Sequence, residues 1–228
     1  MQKKEIIIIS VGGSLIVPDK IDTKFLKEFR ELVLKLIKNN KKIIIIAGGG
    51  KTARNYMTAA NEIINVNNVD KDWLGIHSTR LNAHLLRTIF FKEAHVNVVK
   101  NPSSKINFKE NILIAAGWQP GCSTDYDAVL LAKNVGAKKI INLSNIDFVY
   151  NKDPKKFKDA KKIKEINWKE FIKLLPKKWS PGLSSPFDPL AAKEAQKLEM
   201  EVVIINGKKL ENLEKYLEND KFNGTIIK

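Results

Sequence analysis

Three glycine-containing segments of the sequence have the composition of phosphate-binding loops. They are Ser10–Ser14 (SVGGS), Gly48–Arg54 (GGGKTAR) and Gly117–Asp125 (GWQPGCSTD). Glycine lets backbone N–H groups approach an anion, and a helix that begins after such a loop adds the positive end of its dipole. Three loops of this kind in one chain indicate a site built around several phosphate groups.

The second loop ends in Arg54, whose planar guanidinium group can donate two hydrogen bonds to the oxygens of one phosphate. The loop is not a Walker A motif, because Ile45 stands where that motif needs its first glycine, five positions before Gly50. Its glycine spacing also fits a loose dinucleotide fingerprint. The acids that follow, Asp70 and Asp72, come after an Asn-rich segment, whereas the fingerprint expects the acid at the end of a second strand. We therefore interpret the loop as a phosphate site of another type. A plain tight turn is the alternative, and Arg54 makes it the less favoured one.

A polar segment, Asn145–Pro154, follows a predicted strand that ends at Leu143. Ligands of open α/β sheets bind at the carboxyl ends of the strands, so Asp147, Tyr150 and Asp153 are placed to contact a ligand or a metal. Asn, Asp and Pro also form turns without any ligand. The spacing alone leaves both interpretations open.

Cys122 is the only cysteine and lies in the third loop, just before Thr124, which we expect to cap a helix with Asp127 three residues on. Two interpretations of this thiol are open. It is either a small residue that fills a buried corner, or a thiol whose pKa is lowered by the helix N-terminus. A single cysteine excludes a disulfide framework within the chain and fits a reducing compartment.

Composition limits the class of protein. The length of 228 residues suits one domain over residues 1–228, and 43% hydrophobic with 29% charged residues is typical of a globular protein. The apolar runs are far shorter than the roughly 20 residues of a membrane helix, so we expect a cytoplasmic protein with no membrane partner. The net charge of +15 comes from dispersed lysines, and the three histidines lack metal-ligand spacing. We expect a general attraction for anions and no nucleic-acid partner.

Apolar β-rich runs alternate with helical patterns along the chain, and their continuous Ile and Val content predicts strands buried on both faces of a parallel sheet. The fold class predicted is α/β, a three-layer αβα sandwich with a mainly parallel central sheet. A basic segment at about 152–186 breaks the pattern and predicts a lobe or flap. The predicted strands are Glu5–Ser10, Lys42–Ala47, Val96–Val99, Asn111–Ala116, Lys139–Leu143 and Val202–Asn206. The predicted helices are Lys24–Lys38, Lys51–Ile64, Ile76–Ala94, one after Thr124, and one from the cap Asp188 through Leu198.

Taken together and in this order, the motifs resemble the amino acid kinase superfamily, and within it the archaeal-type uridylate (UMP) kinases. The resemblance covers essentially the whole chain. It implies the amino acid kinase fold, transfer of the γ-phosphoryl group of ATP to UMP, a need for Mg²⁺ held mainly through the nucleotide phosphates, and a homohexamer built as a trimer of dimers. The motifs that carry it are Val11–Ser14, Ala47–Arg54, Leu74–Ala83, Gln119–Asp125, Asn145–Pro154 and Asp188–Lys193.

The resemblance also implies roles for particular residues. The residues that it places around ATP are Ser10, Gly12, Gly13, Ser14, Gly50, Arg54, Ser144, Asn145, Tyr150 and Asp153. Those that it places around UMP are Gly49, Asp72, Trp118, Gln119, Pro120, Gly121, Cys122, Ser123 and Thr124. The expected catalytic residues are Arg54, Asp147 and Lys51, and no dedicated protein ligand for the metal is expected.

Two positions depart from the pattern of the superfamily. Many members carry a lysine where this chain has Ser10, and Lys51 is our candidate for the missing positive charge. Phe148 stands where the family usually has glycine, so its side chain could alter the backbone turn or the nucleotide pocket.

Two alternative functions remain open. The first is another phosphotransferase of the superfamily, acting on isopentenyl phosphate, glutamate or carbamate; the isopentenyl phosphate type usually has a glycine- and histidine-rich loop, which is absent here. The second is a non-catalytic metal-oxide storage relative, for which Ser10 and Phe148 would be signs of lost catalysis. That interpretation calls for a long insertion or an added acidic or histidine cluster, and the sequence has neither.

Overall fold

The computed structural model of the protein describes residues 4–177 and 185–228. Helices and strands alternate along most of the chain, as the sequence predicts. In chain order the elements are β1 (Glu5–Val11), α1 (Gly13–Ile16), α2 (Thr23–Lys38), β2 (Lys41–Ala47), α3 (Gly50–Ile63), α4 (Asn68–Ile89), β3 (Ile112–Ala115), α5 (Thr124–Val135), β4 (Lys139–Ser144), β5 (Val149–Tyr150), β6 (Lys162–Ile163), β7 (Glu165–Ile166), α6 (Trp168–Leu174), α7 (Pro189–Lys197), β8 (Glu201–Asn206), α8 (Leu210–Leu217) and β9 (Thr225–Ile227).

The central sheet has seven strands in the order β3-β2-β1-β4-β8-β9-β7. The five strands from β3 to β8 are all parallel, and β9 pairs antiparallel with β8 at the far side. The chain runs from β1 towards β2 and β3 on one side and returns as β4 on the other. The strand order therefore reverses between β1 and β4, and such a reversal opens a crevice at the carboxyl ends of the strands.

The sheet is buried on both faces, which explains its unbroken runs of isoleucine. Ile7 and Ile9 belong to the core on the side of α2, α4 and α8, whereas Ile8 between them belongs to the core on the side of α5, α6 and α7. Helix α2 turns Phe25 and Phe29 towards the first of these cores. The predicted three-layer fold is thus confirmed. Among the helices of the described residues, none is both long and apolar enough to cross a bilayer.

Two element predictions were wrong. The segment predicted as a strand at Val96–Val99 makes one single bridge to β3, from Val99 to Ala115, and Val96 is exposed. A second single bridge, from Ala94 to Ile112, lies just before the segment. The helix predicted from Ile76 begins at Asn68 instead. Asn67, part of a segment that its many asparagines made look like a loop, caps α4 by accepting a hydrogen bond from the Asp70 N–H at 2.9 Å.

The basic segment predicted as a lobe is divided. Its first part carries β6, which pairs antiparallel with β5 just before the segment, and its next part carries β7 and α6. Trp168 and Phe171 of α6 are buried in the same core as α5 and α7, so this stretch packs into the main body of the fold. Residues 178–184, which belong to the same segment, lie outside the described residues.

Candidate active site

The first two glycine loops lie in direct contact with each other. A side chain at Gly13 would place its Cβ atom 2.0 Å from the backbone nitrogen of Gly50, so only glycine fits there. Gly50 itself has φ of 65°, a left-handed conformation that glycine adopts readily. The first loop is also tied to β4, because the N–H of Gly12 donates to the carbonyl of Leu143 at 2.8 Å. Backbone amides from both loops are therefore held at the carboxyl ends of β1 and β2, beside β4.

A cavity of about 240 Å³ opens under these loops, at the crevice between β1 and β4. Helix α3 begins at its edge, and Arg54 from the second turn of α3 reaches its wall. The residues predicted to bind ATP that line it are Ser10, Gly12, Gly13, Ser14, Gly50, Arg54, Ser144 and Asn145. Thr124 and Pro186 also line it. The arrangement offers backbone donors, one guanidinium group and a helix N-terminus to a chain of phosphates.

A carboxyl group that the sequence analysis did not single out also lines the cavity. Asp125, in the first turn of α5, accepts hydrogen bonds from the Ser10 hydroxyl at 3.4 Å, the Asn142 amide at 3.3 Å and the backbone N–H of Asp188 at 3.2 Å. Burial, and then the negative charge of Asp188, raise the pKa of Asp125 to about 7. The polar Asn142 within the apolar strand β4 was the signal in the sequence that could have pointed to this group.

Residues 117–124 of the third loop are held by two buried carboxyl groups. Asp72 of α4 accepts a hydrogen bond from the Gly121 N–H at 2.6 Å, and Asp127 of α5 accepts one from the Trp118 N–H at 3.0 Å. Burial raises the pKa of both groups, and that of Asp127 reaches about 7. Within the loop, the Cys122 N–H donates to the Gln119 carbonyl at 3.2 Å, closing a turn around Pro120. The predicted UMP loop is therefore a defined turn between α4 and α5.

Helix α4 also contacts both other parts of the site. The Thr79 hydroxyl accepts from the Gly117 N–H at 2.8 Å, and Arg80 donates to the Trp118 carbonyl at 2.9 Å. One turn on, the Asn82 amide donates to the carbonyl of Gly48 at 2.8 Å and to that of Gly49 at 3.2 Å. The sequence analysis matched this stretch as a motif but gave these residues no role.

Asp147, predicted as catalytic, lies outside the residues that line the cavity. Its carboxylate accepts hydrogen bonds from the Lys209 ammonium at 2.7 Å and the Asn206 amide at 3.0 Å. The bond from Lys209, followed by that from Asn206, holds the pKa of Asp147 below its usual value. Asp147 is thus ionised and paired at the carboxyl end of β8.

Tyr150 and Asp153 also lie outside the cavity wall. Tyr150 pairs with Lys162 in the antiparallel ribbon of β5 and β6. The carboxylate of Asp153 accepts from the Lys155 N–H at 2.9 Å, a turn of the kind that aspartate forms without any ligand.

The two departures from the family pattern have different surroundings. Lys51, in the first turn of α3, is partly exposed, and among the described residues it is not part of the cavity wall, although Gly50 before it and Arg54 after it are. Phe148 is only 6% exposed, and its φ is not positive, so the turn there does not require glycine. The aromatic ring is packed inside the fold.

The predictions for the start of α5 need correction. The helix is capped by Ser123, which accepts a hydrogen bond from the Tyr126 N–H at 3.1 Å, and Thr124 is the first helical residue. Asp127 is turned to Trp118 instead of completing a capping box. Cys122 is not an activated thiol, because burial, and then the charge of Asp127, raise its pKa to about 11. The interpretation as a small, partly buried residue is the one that the structure favours.

Comparison with known proteins agrees with this architecture. The model of the amino acid kinase family matches residues 5–206. The chain belongs to the amino acid kinase family. It is 33% identical to the uridylate kinase of Methanobrevibacter smithii, over 97% of this chain and 98% of that protein. It is 37% identical to the uridylate kinase of Pyrococcus abyssi, over 82% of this chain and 83% of that one.

Solved structures of the amino acid kinase fold resemble the chain closely. The uridylate kinase of Archaeoglobus fulgidus superposes with a TM-score of 0.81 at 27% identity, covering 98% of this chain and 100% of that one. The UMP kinase of Bacillus anthracis superposes with a TM-score of 0.80 at 19% identity, covering 99% of this chain and 96% of that one, which is a likeness of fold.

Proposed function

We propose that the chain is a UMP kinase that transfers the γ-phosphoryl group of ATP to UMP, giving UDP and ADP. The observation that carries the proposal is that the cavity under the glycine loops, for ATP, is continuous with the third loop, for UMP. Thr124 lines the cavity under the glycine loops, while the loop that it ends is bonded to Asp72 and Asp127. ATP phosphates in the cavity and a nucleotide held by residues 117–124 would therefore meet at the start of α5. The uridylate kinases among its relatives support this choice of acceptor.

The chemistry asks little of the protein beyond alignment and charge. The phosphate of UMP is itself the nucleophile, so no strong general base is needed. Phosphoryl transfer is accelerated mainly by in-line positioning and by stabilising the charge of the transferring group. The glycine loops donate backbone N–H groups, Arg54 adds a fixed positive charge, and the N-terminus of α3 adds its dipole.

We include Mg²⁺ as the cofactor, held mainly through the nucleotide phosphates. The cavity fits it, because Mg²⁺ prefers oxygen ligands and the wall combines phosphate-binding amides with the carboxylate of Asp125. When bound, Mg²⁺ would neutralise part of the negative charge of the nucleotide phosphates. The substrates ATP and UMP, together with a single cysteine, fit a cytoplasmic enzyme.

We also propose a homo-oligomer, a hexamer built as a trimer of dimers. Helix α3, the residue that follows it and helix α4 expose a set of large apolar side chains: Tyr56, Ile63, Ile64, Val69, Trp73 and Leu81. The stretch 54–81, which contains these side chains, balances Arg54, Lys71 and Arg80 against Glu62, Asp70 and Asp72, within a chain of net charge +15. Two copies can approach through this surface without mutual repulsion. Light scattering should show smaller assemblies for Leu81→Glu than for the unmodified protein, and an unchanged mass would refute this interface.

The function is tested by measuring ADP release with UMP, CMP, dUMP, glutamate and isopentenyl phosphate in parallel. We expect UMP to be phosphorylated well and CMP poorly, because a site built to bond one polar edge rejects an analogue that leaves its groups unpaired, often by about 10⁴-fold. Equal turnover of UMP and CMP would contradict the assignment. Turnover of glutamate or isopentenyl phosphate alone would identify a different phosphotransferase, and no turnover of any acceptor would favour the storage relative.

A further inference from the structure

A second cavity, of about 500 Å³, opens near the edge of the sheet formed by β9 and β7, where these strands meet α8 and the turn that follows it. Among the described residues, it shares no lining residue with the cavity under the glycine loops. Its volume lies within the roughly 300–1,000 Å³ of pockets that hold small molecules. The proposed phosphoryl transfer makes no use of this second cavity.

The turn that forms one wall of the second cavity is held in place by several contacts. The N–H of Asp220 donates to the carbonyl of Lys215 at 2.8 Å, which closes the turn onto the end of α8. The ring of Phe222 packs edge-on against that of Tyr216, with 5.1 Å between the ring centroids. At Gly224 a Cβ atom would lie 2.6 Å from the Phe222 ring and 2.7 Å from a backbone oxygen of β8. The cavity is therefore a preformed part of the fold.

Positive charge exceeds negative charge in the wall. Lys164, Lys215 and Lys221 are exposed, and none of them forms an ion pair with a carboxylate among the described residues. Of the two carboxylates in the wall, that of Glu165 already pairs with Lys228 at 2.8 Å. One remaining carboxylate thus stands against three ammonium groups, and such a wall attracts anions.

The acids of α8 do not neutralise this wall because they lie on another face of the helix. Glu214 and the capping residue Glu218 both pair with Lys35 of α2. Asn212 and Lys215, three residues apart, share the face that lines the cavity. The ion pairs of α8 are therefore made with α2, and Lys215 is left to the cavity.

A buried amide adds a neutral donor to the wall. Asn212 is only 4% exposed, and its carbonyl oxygen accepts a hydrogen bond from the Asn223 N–H at 3.1 Å. The NH₂ group of Asn212 has no acceptor among the described residues, although the residue lines the cavity. A buried amide of this kind calls for an acceptor.

We propose that this cavity binds a polyphosphate group, either as inorganic triphosphate or as the tail of a nucleoside triphosphate. Phosphate oxygens are acceptors for the three ammonium groups and for the NH₂ group of Asn212, and a charge-assisted hydrogen bond is stronger than a neutral one. Three separate lysines match several phosphates better than one. The ring of Phe222, also in the wall, offers an apolar surface to the nucleoside of a nucleotide.

The test is the reactivity of single lysines, followed by mass spectrometry while the protein is acetylated. An ammonium group that is held by phosphate is shielded from the reagent. With saturating inorganic triphosphate, we expect acetylation of Lys164, Lys215 and Lys221 to slow by about fivefold or more, the scale of one exposed ion pair at each. Lys24 and Lys27 of α2, which line neither cavity, are the controls and should change by less than about twofold at matched ionic strength. Protection of the three lysines no greater than that of the controls would overturn the inference.

ATP in place of inorganic triphosphate distinguishes the two sources of the polyphosphate group. Protection at lower concentrations of ATP than of triphosphate would identify a nucleotide, with its nucleoside against Phe222, and the reverse order would identify the free anion. Adenosine, which has no phosphate, should protect none of the three lysines, and protection by adenosine would refute recognition of phosphate. The measurement involves neither UMP nor turnover, so its outcome is independent of the proposed function.

A variant of the buried amide tests the wall directly. In Asn212→Asp the new carboxylate can still accept from the Asn223 N–H, but it cannot donate to phosphate and it adds a negative charge. We expect protection by triphosphate to be lost in this variant and kept in Asn39→Asp, the matched change at the exposed end of α2. Circular dichroism checks that each variant is folded; if Asn212→Asp does not fold, Lys215→Gln decides through weakened protection of the two remaining lysines. Full protection in the folded variant would overturn the inference.

Discussion

The carboxylate of Asp72 accepts a hydrogen bond from the backbone N–H of Gly121 across 2.6 Å, joining the second turn of α4 to the tip of the third loop. Gly121 has φ of 86° and nothing within 4 Å of the position a Cβ would take, so the loop tip has little packing of its own. The position of this tip therefore depends on a side chain two elements earlier in the chain. It follows that the acceptor half of the site is set by α4.

Replacing Asp72 tests that dependence. Asp72→Ala should raise KM for UMP by roughly 10–100-fold, the equivalent of about 1.5–3 kcal/mol for a lost hydrogen bond to a charged group, and should leave KM for ATP nearly unchanged. Steady-state kinetics with each substrate varied in turn measures both. Asp70→Ala, which removes an exposed carboxylate two residues earlier, is the control; if it had the same effect, a general loss of charge on α4 would be the explanation.

Arg54 is the guanidinium group of the cavity wall. Arg54→Ala should lower kcat by about 10²–10³, the usual cost of losing one electrostatic contact in the transition state. The control is Lys24→Ala, which removes an exposed positive charge from the first turn of α2, a residue that is not part of the cavity wall. A kcat that stays within about threefold of the unmodified enzyme would remove Arg54 from the reaction centre.

Lys51 remains the candidate to replace the family's lysine, and its effect can be ranked against that of Arg54. Because Lys51 is not part of the cavity wall among the described residues, we expect Lys51→Ala to lower kcat by less than about tenfold, well under the effect of Arg54→Ala. Turnover numbers at saturating ATP and UMP give the comparison. A loss as large as that of Arg54→Ala would establish Lys51 as the substitute cation and weaken the role given to the metal.

The thiol of Cys122 should react slowly. A group with a pKa of about 11 is about 10⁻³ ionised at pH 8, and the thiolate is the reactive form, so the rate of alkylation by iodoacetamide should rise about tenfold per pH unit from pH 7 to pH 10. Saturating UMP should slow the labelling, ATP alone should protect less, and Cys122→Ser should remain active. A rate that levels off near pH 7 would show a lowered pKa, and labelling unaffected by UMP would remove this loop from the acceptor site.

Because the two glycine loops are in direct contact, we expect one added methyl group at Gly13 to destabilise the fold strongly. Gly13→Ala brings a Cβ atom to within 2.0 Å of backbone, which we expect to cost about 3 kcal/mol of unfolding free energy and to lower Tm by about 6–12 °C. Gly75→Ala in α4 is the matched control, since its Cβ meets only the flexible end of Met57 and alanine favours the helix. Equal melting temperatures for the two variants would contradict the tight contact described here.

The parts of the fold that the sequence predicted well are those with a strong local pattern. The isoleucine runs of β1 and β2 and the amphipathic stripe of α2 were placed to within a residue or two, because burial on both faces or on one face leaves a clear periodicity. Val96–Val99 has the same local pattern but reaches the sheet through one single bridge, so the pattern alone could not separate it from a strand.

The polar residues of the site divide in the same way. The glycine loops can be recognised from their composition, and most of the residues predicted to bind ATP do line the cavity. Asp125, Asn142 and Asn82 act through partners far away in the sequence, and no spacing rule connects Ser10 to a residue 115 positions later. The catalytic role of Asp147 stays a prediction. Its ion pair with Lys209, 62 positions later, could not be predicted from the sequence.

Helix α4 has one further consequence. Its side chains Asp72, Thr79 and Arg80 contact the third loop, which is proposed to hold UMP. Asn82 contacts the second glycine loop, on the ATP side. The outer surface of the helix carries Trp73 and Leu81 of the proposed interface. A rigid helix cannot shift at one of these contacts without shifting at the others. The rate should therefore depend cooperatively on the UMP concentration in the assembled enzyme, with a Hill coefficient above one. The coefficient should fall to one in Leu81→Glu. Assembly would then make the enzyme respond more steeply to the concentration of its substrate.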